Sequence, residues 1–235
     1  MTDPSSLKRA AAAEALKFIE NGIKLGLGTG STAEAFLDAL APRVRDGLRV
    51  TCVATSERTA EKANALSIPL ADLDALAPLD VVIDGADEAD RDLNLIKGGG
   101  GALLREKIVA ASTKLMIVVA DGTKLVDRLG KFPLPVEVVP FGHKTTMTRV
   151  AAAIAKLGYR DIAITLRMKN GAPFKTDCGN LIYDGAFGAI GDVRKLADAL
   201  SAVPGVVEHG LFVNLAHKLI IAHADRLEII ERTSR

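Results

Sequence analysis

Short apolar segments alternate with helical segments along the first half of the chain, and this alternation restricts the fold more than any other feature. It predicts βαβ units, in which parallel strands are covered by helices on both faces. The predicted helices are residues 5–20, 31–40, 57–66 and 102–111, and the predicted strands are residues 23–27, 49–54, 80–83, 115–119 and 219–222. In such a sheet, ligands bind at the carboxyl ends of the strands.

The second half begins at the two prolines of Lys131-Phe-Pro-Leu-Pro135, which favour a boundary. Beyond them the predicted elements are strand 136–139, helix 144–157, strands 162–166 and 180–183, helix 192–202 and strand 206–208. This order is typical of a ferredoxin-like module, and Lys169-Asn170-Gly171 suits a tight turn between strands. We therefore expect an α/β fold with a Rossmann-like parallel-sheet domain (residues 1–133 plus 210–235) and a smaller ferredoxin-like α+β lid domain (residues 134–209).

Composition argues against several classes of function. Thirty basic and 29 acidic residues leave a formal charge of +1, so no overall field attracts nucleic acid or an anionic membrane. Aromatic residues make up only 4% of the chain, which makes base-stacking surfaces improbable. No apolar run approaches the roughly 18 residues of a membrane span, and the N-terminus lacks a signal core. Cys52 and Cys178 lack metal-binding spacing, so we expect idle thiols and a cytoplasmic protein.

A glycine-rich segment, Gly26-Leu-Gly28-Thr29-Gly30-Ser31-Thr32, connects the first predicted strand to the next helix. Glycines let the backbone approach a ligand, and the N–H groups of a helix N-terminus attract an anion such as phosphate. A tight turn with Ser31 as the helix N-cap is the simpler alternative. A dinucleotide site is weakly supported, because the next strand ends in Ala54-Thr55-Ser56 without a carboxylate. No lysine precedes the hydroxyl residues, which argues against a Walker A loop.

Carboxylates follow the apolar segment Val81-Val82-Ile83, in the order Asp84-Gly85-Ala86-Asp87-Glu88. The end of a buried strand is where doubly wound sheets carry out chemistry. Neighbouring carboxylates that are shielded from water can have separate pKa values, so one can act as an acid and another as a base. A helix cap with solvated charges is the simpler alternative.

A metal site has little support. Asp90-x-Asp92-x-Asn94 resembles the start of a calcium loop, but Leu95 and Gly101 occupy the sixth and twelfth positions. That loop requires Gly and Glu there. The four histidines have neither metal-ligand spacing nor a nearby nucleophile motif. We therefore expect no metal.

Four consecutive glycines follow a lysine in Lys97-Gly98-Gly99-Gly100-Gly101, immediately before a predicted helix. Such a run is costly to order and is best explained by a backbone that wraps a ligand, with N–H groups directed at developing negative charge. A flexible linker is the alternative. Glu106 can face the pocket from the early part of the helix, whereas its neighbours Arg105 and Lys107 could equally be outward salt-bridge partners. Lys124 follows another strand and is a candidate phosphate partner or a surface lysine.

In combination, these motifs resemble those of type A ribose-5-phosphate isomerases. The matching segments run in order along nearly the whole chain and are Gly28–Thr32, Asp84–Glu88, Lys97–Gly100, Arg105–Lys107, Gly130–Glu137, Pro204–Val207 and Gly210–Phe212. The resemblance implies interconversion of ribose 5-phosphate and ribulose 5-phosphate without a cofactor, in the pentose phosphate pathway and, in photosynthetic organisms, the Calvin cycle. It also implies a homodimer or a tetramer.

The resemblance implies that Glu106 is the catalytic base and that Thr29–Thr32, Asp84–Asp87, Lys97–Gly100 and Lys124 bind the substrate. Aldose–ketose isomerisation then needs one carboxylate to move a proton between neighbouring carbons through a cis-enediolate, and we expect Glu106 to do this. We expect Asp84 to handle the hydroxyl proton, with Asp87 as its neighbour or as a ring-opening group. Lys97 and the glycine amides would stabilise the enediolate oxygen. Lys8 and the Gly28–Thr32 loop are candidates for either end of the sugar.

Other functions are compatible with the same residues. An amino-sugar-phosphate deaminase or a lactonase on a related scaffold could use them. A sugar-phosphate-sensing module of a regulator is an alternative from another class, although no helix-turn-helix candidate precedes residue 23. A CoA transferase would need CoA recognition that the sequence does not indicate. The expected partner is a phosphorylated pentose, with no nucleic acid and no membrane.

Overall fold

Seven α-helices and fifteen strands make up the computed structural model, which describes residues 3–232. The helices are Pro4–Ala15 (α1), Ser31–Arg45 (α2), Glu57–Ala65 (α3), Leu73–Leu76 (α4), Leu103–Ala111 (α5), His143–Lys156 (α6) and Val193–Ser201 (α7). The strands are Ile23–Leu27 (β1), Val50–Ala54 (β2), Leu79–Asp84 (β3), Glu88–Ala89 (β4), Leu95–Ile96 (β5), Thr113–Asp121 (β6), Leu134–Val138 (β7), Ile164–Leu166 (β8), Met168–Lys169 (β9), Ala172–Pro173 (β10), Leu181–Gly185 (β11), Val206–His209 (β12), Leu211–Phe212 (β13), Lys218–Ala222 (β14) and Leu227–Glu231 (β15). Short 3-10 turns occupy Leu16–Phe18 and Gly122–Lys124.

The predicted parallel sheet is confirmed as a six-stranded sheet with the order β15-β14-β6-β3-β1-β2. Its strands are parallel except for β15, which runs antiparallel to β14. The chain leaves β1 in one direction to form β2 and returns on the other side to form β3. This reversal of strand order creates a crevice at the carboxyl ends of β1 and β3, the place where doubly wound sheets bind ligands.

Helices cover both faces of the large sheet, which explains why its strands are almost continuously apolar. Helices α1 and α2 pack on one face, where Phe36 and Leu40 contact the core formed by Leu27 and Ile83. On the other face Val109 of α5 packs with the buried β3 residues Leu79 and Val82. Helix α5 is therefore fixed against β3.

The second half forms the predicted ferredoxin-like module. Its four antiparallel strands have the order β12-β7-β11-β8, and α6 and α7 contribute to their apolar core. The predicted tight turn joins β9 to β10, with Asn170 and Gly171 both at positive φ. The division into residues 1–133 plus 210–235 and residues 134–209 stays a prediction.

The structure differs from the sequence prediction at several elements. The helix predicted at residues 5–20 ends at Ala15, and the helix predicted at 31–40 continues to Arg45. Helix α4, the short strands β4, β5 and β13, and the edge strand β15 were not predicted. Strands of two residues are too short to show any periodicity, yet β13, β5 and β4 pair into a separate sheet. None of the described helices is long and apolar enough to cross a membrane.

Replacement of Gly26 by Ala tests the close packing of α5 on the sheet. An added Cβ would lie 2.5 Å from Cγ2 of Val82 and 2.9 Å from Cγ1 of Val109. We expect G26A to lower the free energy of unfolding by about 1–3 kcal/mol through overpacking, measured by urea denaturation. G191A is the control, because its Cβ would meet only the Tyr159 hydroxyl at 3.8 Å. Equal stability of the two variants would contradict this account of the packing.

Candidate active site

A cleft of about 140 Å³ opens at the crevice between β1 and β3. Every residue predicted for the site except Asp84 lines it: Lys8, Thr29, Gly30, Ser31, Thr32, Gly85, Ala86, Asp87, Lys97, Gly98, Gly99, Gly100, Glu106 and Lys124. A larger groove of about 470 Å³ between β2, α3, α4 and α5 is lined mostly by residues with apolar side chains, and Asp72 and Arg105 are its charged residues. The groove contains no predicted site residue, so the smaller cleft is the candidate active site.

Three charged side chains meet at the inner end of the cleft. The Lys97 ammonium lies 2.9 Å from Oδ2 of Asp84 and 3.2 Å from Oε1 of Glu106. It also donates a hydrogen bond of 2.7 Å to the carbonyl of Gly85. The exposed fractions of these side chains are 3% for Lys97, 0% for Asp84 and 4% for Glu106. Charges so well shielded from water interact much more strongly than surface charges do.

Asp84 lies behind Lys97 and is held by the backbone. Its Oδ1 accepts hydrogen bonds from the N–H groups of Thr29 (3.1 Å) and Gly85 (2.7 Å). Position 28 must be glycine, because an added Cβ would collide with the Asp84 carboxylate. Asp84 Oδ2 makes no hydrogen bond of regular geometry, so its contact with Lys97 is an ion pair that orients the ammonium.

Glu106 presents a buried oxygen without a hydrogen-bond partner among the described residues. Its Oε1 faces Lys97, whereas Oε2 is buried and accepts no hydrogen bond. Glu106 lies in the first turn of α5, and its N–H binds the Ala102 carbonyl in the first helical bond. The helix therefore aims a carboxylate with one unused oxygen at the cleft.

The environment shifts the pKa values of all three groups. Burial raises the pKa of Glu106 to about 8; Lys97 opposes this shift, and the carboxylates of Asp84 and Asp87 add to it. Burial likewise raises the pKa of Asp84, although Lys97 and two backbone N–H groups oppose it. Burial alone would lower the pKa of Lys97, but Asp84 and Glu106 outweigh it and raise that pKa above its ordinary value. Lys97 therefore stays charged, and Glu106 can exchange a proton near neutral pH.

The unpredicted sheet of β13, β5 and β4 positions Lys97. The residue directly follows β5, and its N–H donates to the Gly210 carbonyl at 2.9 Å. The Lys97 ammonium also lies 5.6 Å from the ring centroid of Phe212 in β13. These contacts fix the lysine from both its backbone and its side chain.

The glycine run turns tightly around Asp87. The N–H of Gly99 donates to Oδ2 of Asp87 at 2.7 Å, and an added Cβ on Gly99 would lie 2.6 Å from Oδ1 of the same carboxylate. Gly98 and Gly101 have φ angles of 100° and 84°, a region that favours glycine. The run is therefore an ordered loop, and the linker alternative is wrong.

The segment after β1 forms the opposite end of the cleft. Gly30, at φ 106°, is the N-cap of α2, so the alternative with Ser31 as N-cap is wrong. Lys8 of α1 donates to the Ser31 hydroxyl at 2.9 Å. The Thr29 hydroxyl is instead engaged with the hydroxyls of Thr55 (2.8 Å) and Ser56 (2.9 Å). The free N–H groups of the α2 terminus and two lysines, Lys8 and Lys124, make this end electropositive.

Sequence reasoning missed Arg167, which lies between β8 and β9. Its Nη1 donates to the carbonyls of Gly98 (2.9 Å) and Gly99 (3.1 Å). Its guanidinium also forms a bidentate pair with Asp184. No motif surrounds Arg167, and only the three-dimensional fold brings it to the glycine run.

The Asp90 carboxylate, the first candidate calcium ligand, is occupied by hydrogen bonds from its own turn. Asp90 Oδ1 accepts from the N–H groups of Asp92 (3.0 Å) and Asn94 (2.8 Å), and Oδ2 accepts from the Asn94 side chain. Within residues 3–232 there is no group of three or more His, Cys, Asp or Glu side chains that could hold a metal ion. The Asp90 carboxylate therefore stabilises a turn.

Replacement of Glu106 by Gln tests the raised pKa through stability. The folded protein holds the Glu106 proton up to about pH 8, whereas an unfolded chain releases it near the ordinary value of 4.5. Wild-type protein therefore loses stability as the pH rises from 4.5 to about 8. E106Q lacks this loss, because Gln cannot ionise. The measurement is the unfolding free energy of each protein by urea denaturation at pH 5 and at pH 9. We expect the value for E106Q minus the value for wild type to be at least about 1 kcal/mol larger at pH 9 than at pH 5. A pH-independent difference would contradict the raised pKa of Glu106.

Comparison with known proteins identifies the family. Residues 51–226 match the family model described as ribose 5-phosphate isomerase A (phosphoriboisomerase A). A ribose-5-phosphate isomerase A of Nitrobacter hamburgensis is 53% identical over 227 residues, which cover 97% of this chain and 98% of the relative.

Solved structures agree with this match over the full fold. The ribose 5-phosphate isomerase of Plasmodium falciparum superposes with a TM-score of 0.92 at 34% identity, covering 98% of this chain and 100% of the other. A D-ribose-5-phosphate isomerase in complex with phospho-erythronic acid superposes with a TM-score of 0.91 at 38% identity and the same coverage. The chain therefore belongs to the ribose 5-phosphate isomerase A family and is an isomerase.

Proposed function

We propose that this isomerase interconverts ribose 5-phosphate and ribulose 5-phosphate through a cis-enediolate, with Glu106 as the proton-shuttling base. The observation that carries the proposal is the buried Glu106 carboxylate on the cleft wall, with Oε2 unpartnered and Oε1 beside Lys97. A carboxylate with a pKa of about 8 is a stronger base than an ordinary one and exchanges protons readily at neutral pH.

The isomerisation needs one base for the carbon-bound proton and one group that moves a hydroxyl proton from O2 to O1. From the open-chain aldose, Glu106 takes the proton on C2 while the carbonyl oxygen on C1 becomes an enediolate oxygen. Glu106 then returns the proton to C1, and the C2 oxygen becomes the ketose carbonyl. Between these steps, one hydroxyl proton moves from O2 to O1, and the carbon skeleton and the phosphate stay unchanged.

Asp87 is better supported than Asp84 for the proton between O1 and O2. Asp87 lines the cleft, whereas Asp84 is fully buried behind Lys97 and bound to two backbone N–H groups. In this proposal Asp84 acts on the reaction indirectly, because it keeps Lys97 charged and oriented. The hydroxyl role that the sequence suggested for Asp84 therefore moves to its neighbour.

Lys97 and the glycine loop would stabilise the negative charge of the enediolate. The ammonium reaches the inner end of the cleft with its charge secured by two carboxylates. A well-placed donor of this kind typically contributes roughly 3–4 kcal/mol to the stability of a developing oxyanion. The donors are already fixed before the substrate binds, so little reorganisation is needed.

The electropositive end of the cleft suits the substrate phosphate. The N-terminus of α2, with Ser31 and Thr32, offers N–H and hydroxyl donors, and Lys8 and Lys124 add positive charge. A related isomerase has been solved in complex with phospho-erythronic acid, a phosphorylated sugar acid, and this supports a phosphorylated sugar as the class of ligand here. The pentose phosphate pathway follows from the family. The homodimer or tetramer stays a prediction from the family resemblance, and the cytoplasmic location stays a prediction from the cysteines and the N-terminal sequence.

The proposal predicts ketose formation from ribose 5-phosphate by the chelator-treated protein. E106Q should lower kcat by orders of magnitude while KM stays near the wild-type value, because the phosphate and hydroxyl contacts are retained. The measurement is ribulose 5-phosphate formation over a range of substrate concentrations. E61Q, an equivalent change at an exposed glutamate of α3, should leave kcat unchanged.

Near-normal kcat in E106Q would remove Glu106 from its role. Binding of ribose 5-phosphate without any ketose would instead favour the sugar-sensing alternative.

Asp87→Asn tests whether Asp87 moves the hydroxyl proton between O2 and O1. Asn keeps an acceptor for the Gly99 N–H but cannot carry the hydroxyl proton, so kcat should fall about 10- to 100-fold with little change in KM. D127N, at an exposed aspartate, is the matched control and should behave as wild type. A wild-type kcat in D87N would show that another group moves the hydroxyl proton between O2 and O1.

A further inference from the structure

We propose that Arg167 is a positioning residue for the isomerisation: it orients two peptide groups of the glycine loop so that the Gly100 N–H faces the reacting oxygens. This inference rests on the proposed function, because it assigns that N–H to the enediolate. Arg167 belongs to the ferredoxin-like module, whereas the loop that it contacts follows β5 in the other half of the fold.

The contacts of Arg167 are specific to the loop carbonyls. One nitrogen, Nη1, donates to the carbonyl of Gly98 at 2.9 Å and to the carbonyl of Gly99 at 3.1 Å. One guanidinium thus binds two consecutive peptide groups on the same side. The Gly98 carbonyl also accepts from the Gly101 N–H at 3.0 Å, whereas within residues 3–232 the Gly99 carbonyl accepts only from Arg167.

Planarity of the peptide bond transmits this orientation to the other side of the loop. In a trans peptide, the C=O and the N–H of the next residue point in opposite directions. The first peptide illustrates this: its carbonyl on Gly98 binds Arg167, and its N–H on Gly99 binds Asp87 at 2.7 Å. The second peptide has its carbonyl on Gly99 bound in the same way, so the N–H of Gly100 points away from Arg167.

The Gly100 N–H is the donor left for a ligand. Gly100 lines the cleft beside Asp87 and Lys97, and within residues 3–232 its N–H has no acceptor. Without the guanidinium, the Gly99–Gly100 peptide could flip at low cost, since glycine tolerates both hands of φ and no other group within residues 3–232 binds this peptide. A flip would replace the N–H donor in the cleft with a carbonyl oxygen, which repels an enediolate.

Arg167 itself is held in place by partners of its own module. Its Nε donates to Oδ2 of Asp184 at 2.8 Å and its Nη2 donates to Oδ1 at 2.5 Å, a bidentate geometry that fixes the guanidinium plane. The guanidinium lies 5.9 Å from the ring centroid of Phe174, and that ring packs against Gly101 at the end of the run. The arginine is therefore a rigid support for the loop.

The test compares R167M with R194M, which removes an exposed arginine on α7 of the same module. Arg194 makes no side-chain hydrogen bond or ion pair within residues 3–232. R167M should lower kcat about 10- to 100-fold with KM within about threefold of wild type, because a misoriented donor affects the enediolate more than the bound substrate. R194M should match wild type.

Two further variants separate the outcomes. D184N should lower kcat in the same direction as R167M, and the double variant should be no worse than R167M alone, because both changes act through one guanidinium. A wild-type kcat in R167M, or a lower unfolding midpoint with unchanged kcat of the folded enzyme, would overturn the positioning role and leave Glu106 untouched. Normal turnover in E106Q would overturn the proposed function itself, whatever R167M does.

Discussion

The buried contacts of the Lys97 ammonium with Asp84 and Glu106 connect three elements of the fold at one point. Strand β3 supplies Asp84, the segment after β5 supplies Lys97, and α5 supplies Glu106. Removing the Lys97 charge from water is unfavourable unless that charge is paired, so the three elements must meet with good geometry. The parallel sheet provides this geometry, because β3 and α5 are packed face to face through Val82 and Val109.

The same requirement explains where glycine is needed. Gly28 leaves room for the Asp84 carboxylate, and Gly99 leaves room for Asp87. Gly101 is backed by the Phe174 ring of the ferredoxin-like module, so an added Cβ would collide there. Where the backbone closely approaches a carboxylate or the ferredoxin-like module, the residue must thus be glycine, which contributes little to packing. The stability that these positions give up is offset by the apolar cores on both faces of the sheet.

Much of the fold and of the site composition could be predicted from sequence, since those signals are local. Apolar runs that end in Gly28 and Asp84 indicate strand ends, and four glycines before Glu106 indicate a loop that meets a helix. The difference in burial between Asp84 and Asp87 could not be predicted, because it depends on contacts from distant segments. Arg167 was missed for the same reason: its partners, Gly98 and Gly99, are far away in the chain. The two-residue strands that fix Lys97 carry no pattern at all.

The most direct test of this account is an infrared titration of the Glu106 carboxylate in the free enzyme. The difference between wild-type and E106Q spectra isolates the carboxylate stretching band of this one residue. We predict that the band appears with a midpoint near pH 8, because burial and the neighbouring carboxylates outweigh Lys97. A midpoint near the ordinary value of 4.5 would contradict the central claim, since Glu106 would then be an ordinary weak base paired with lysine.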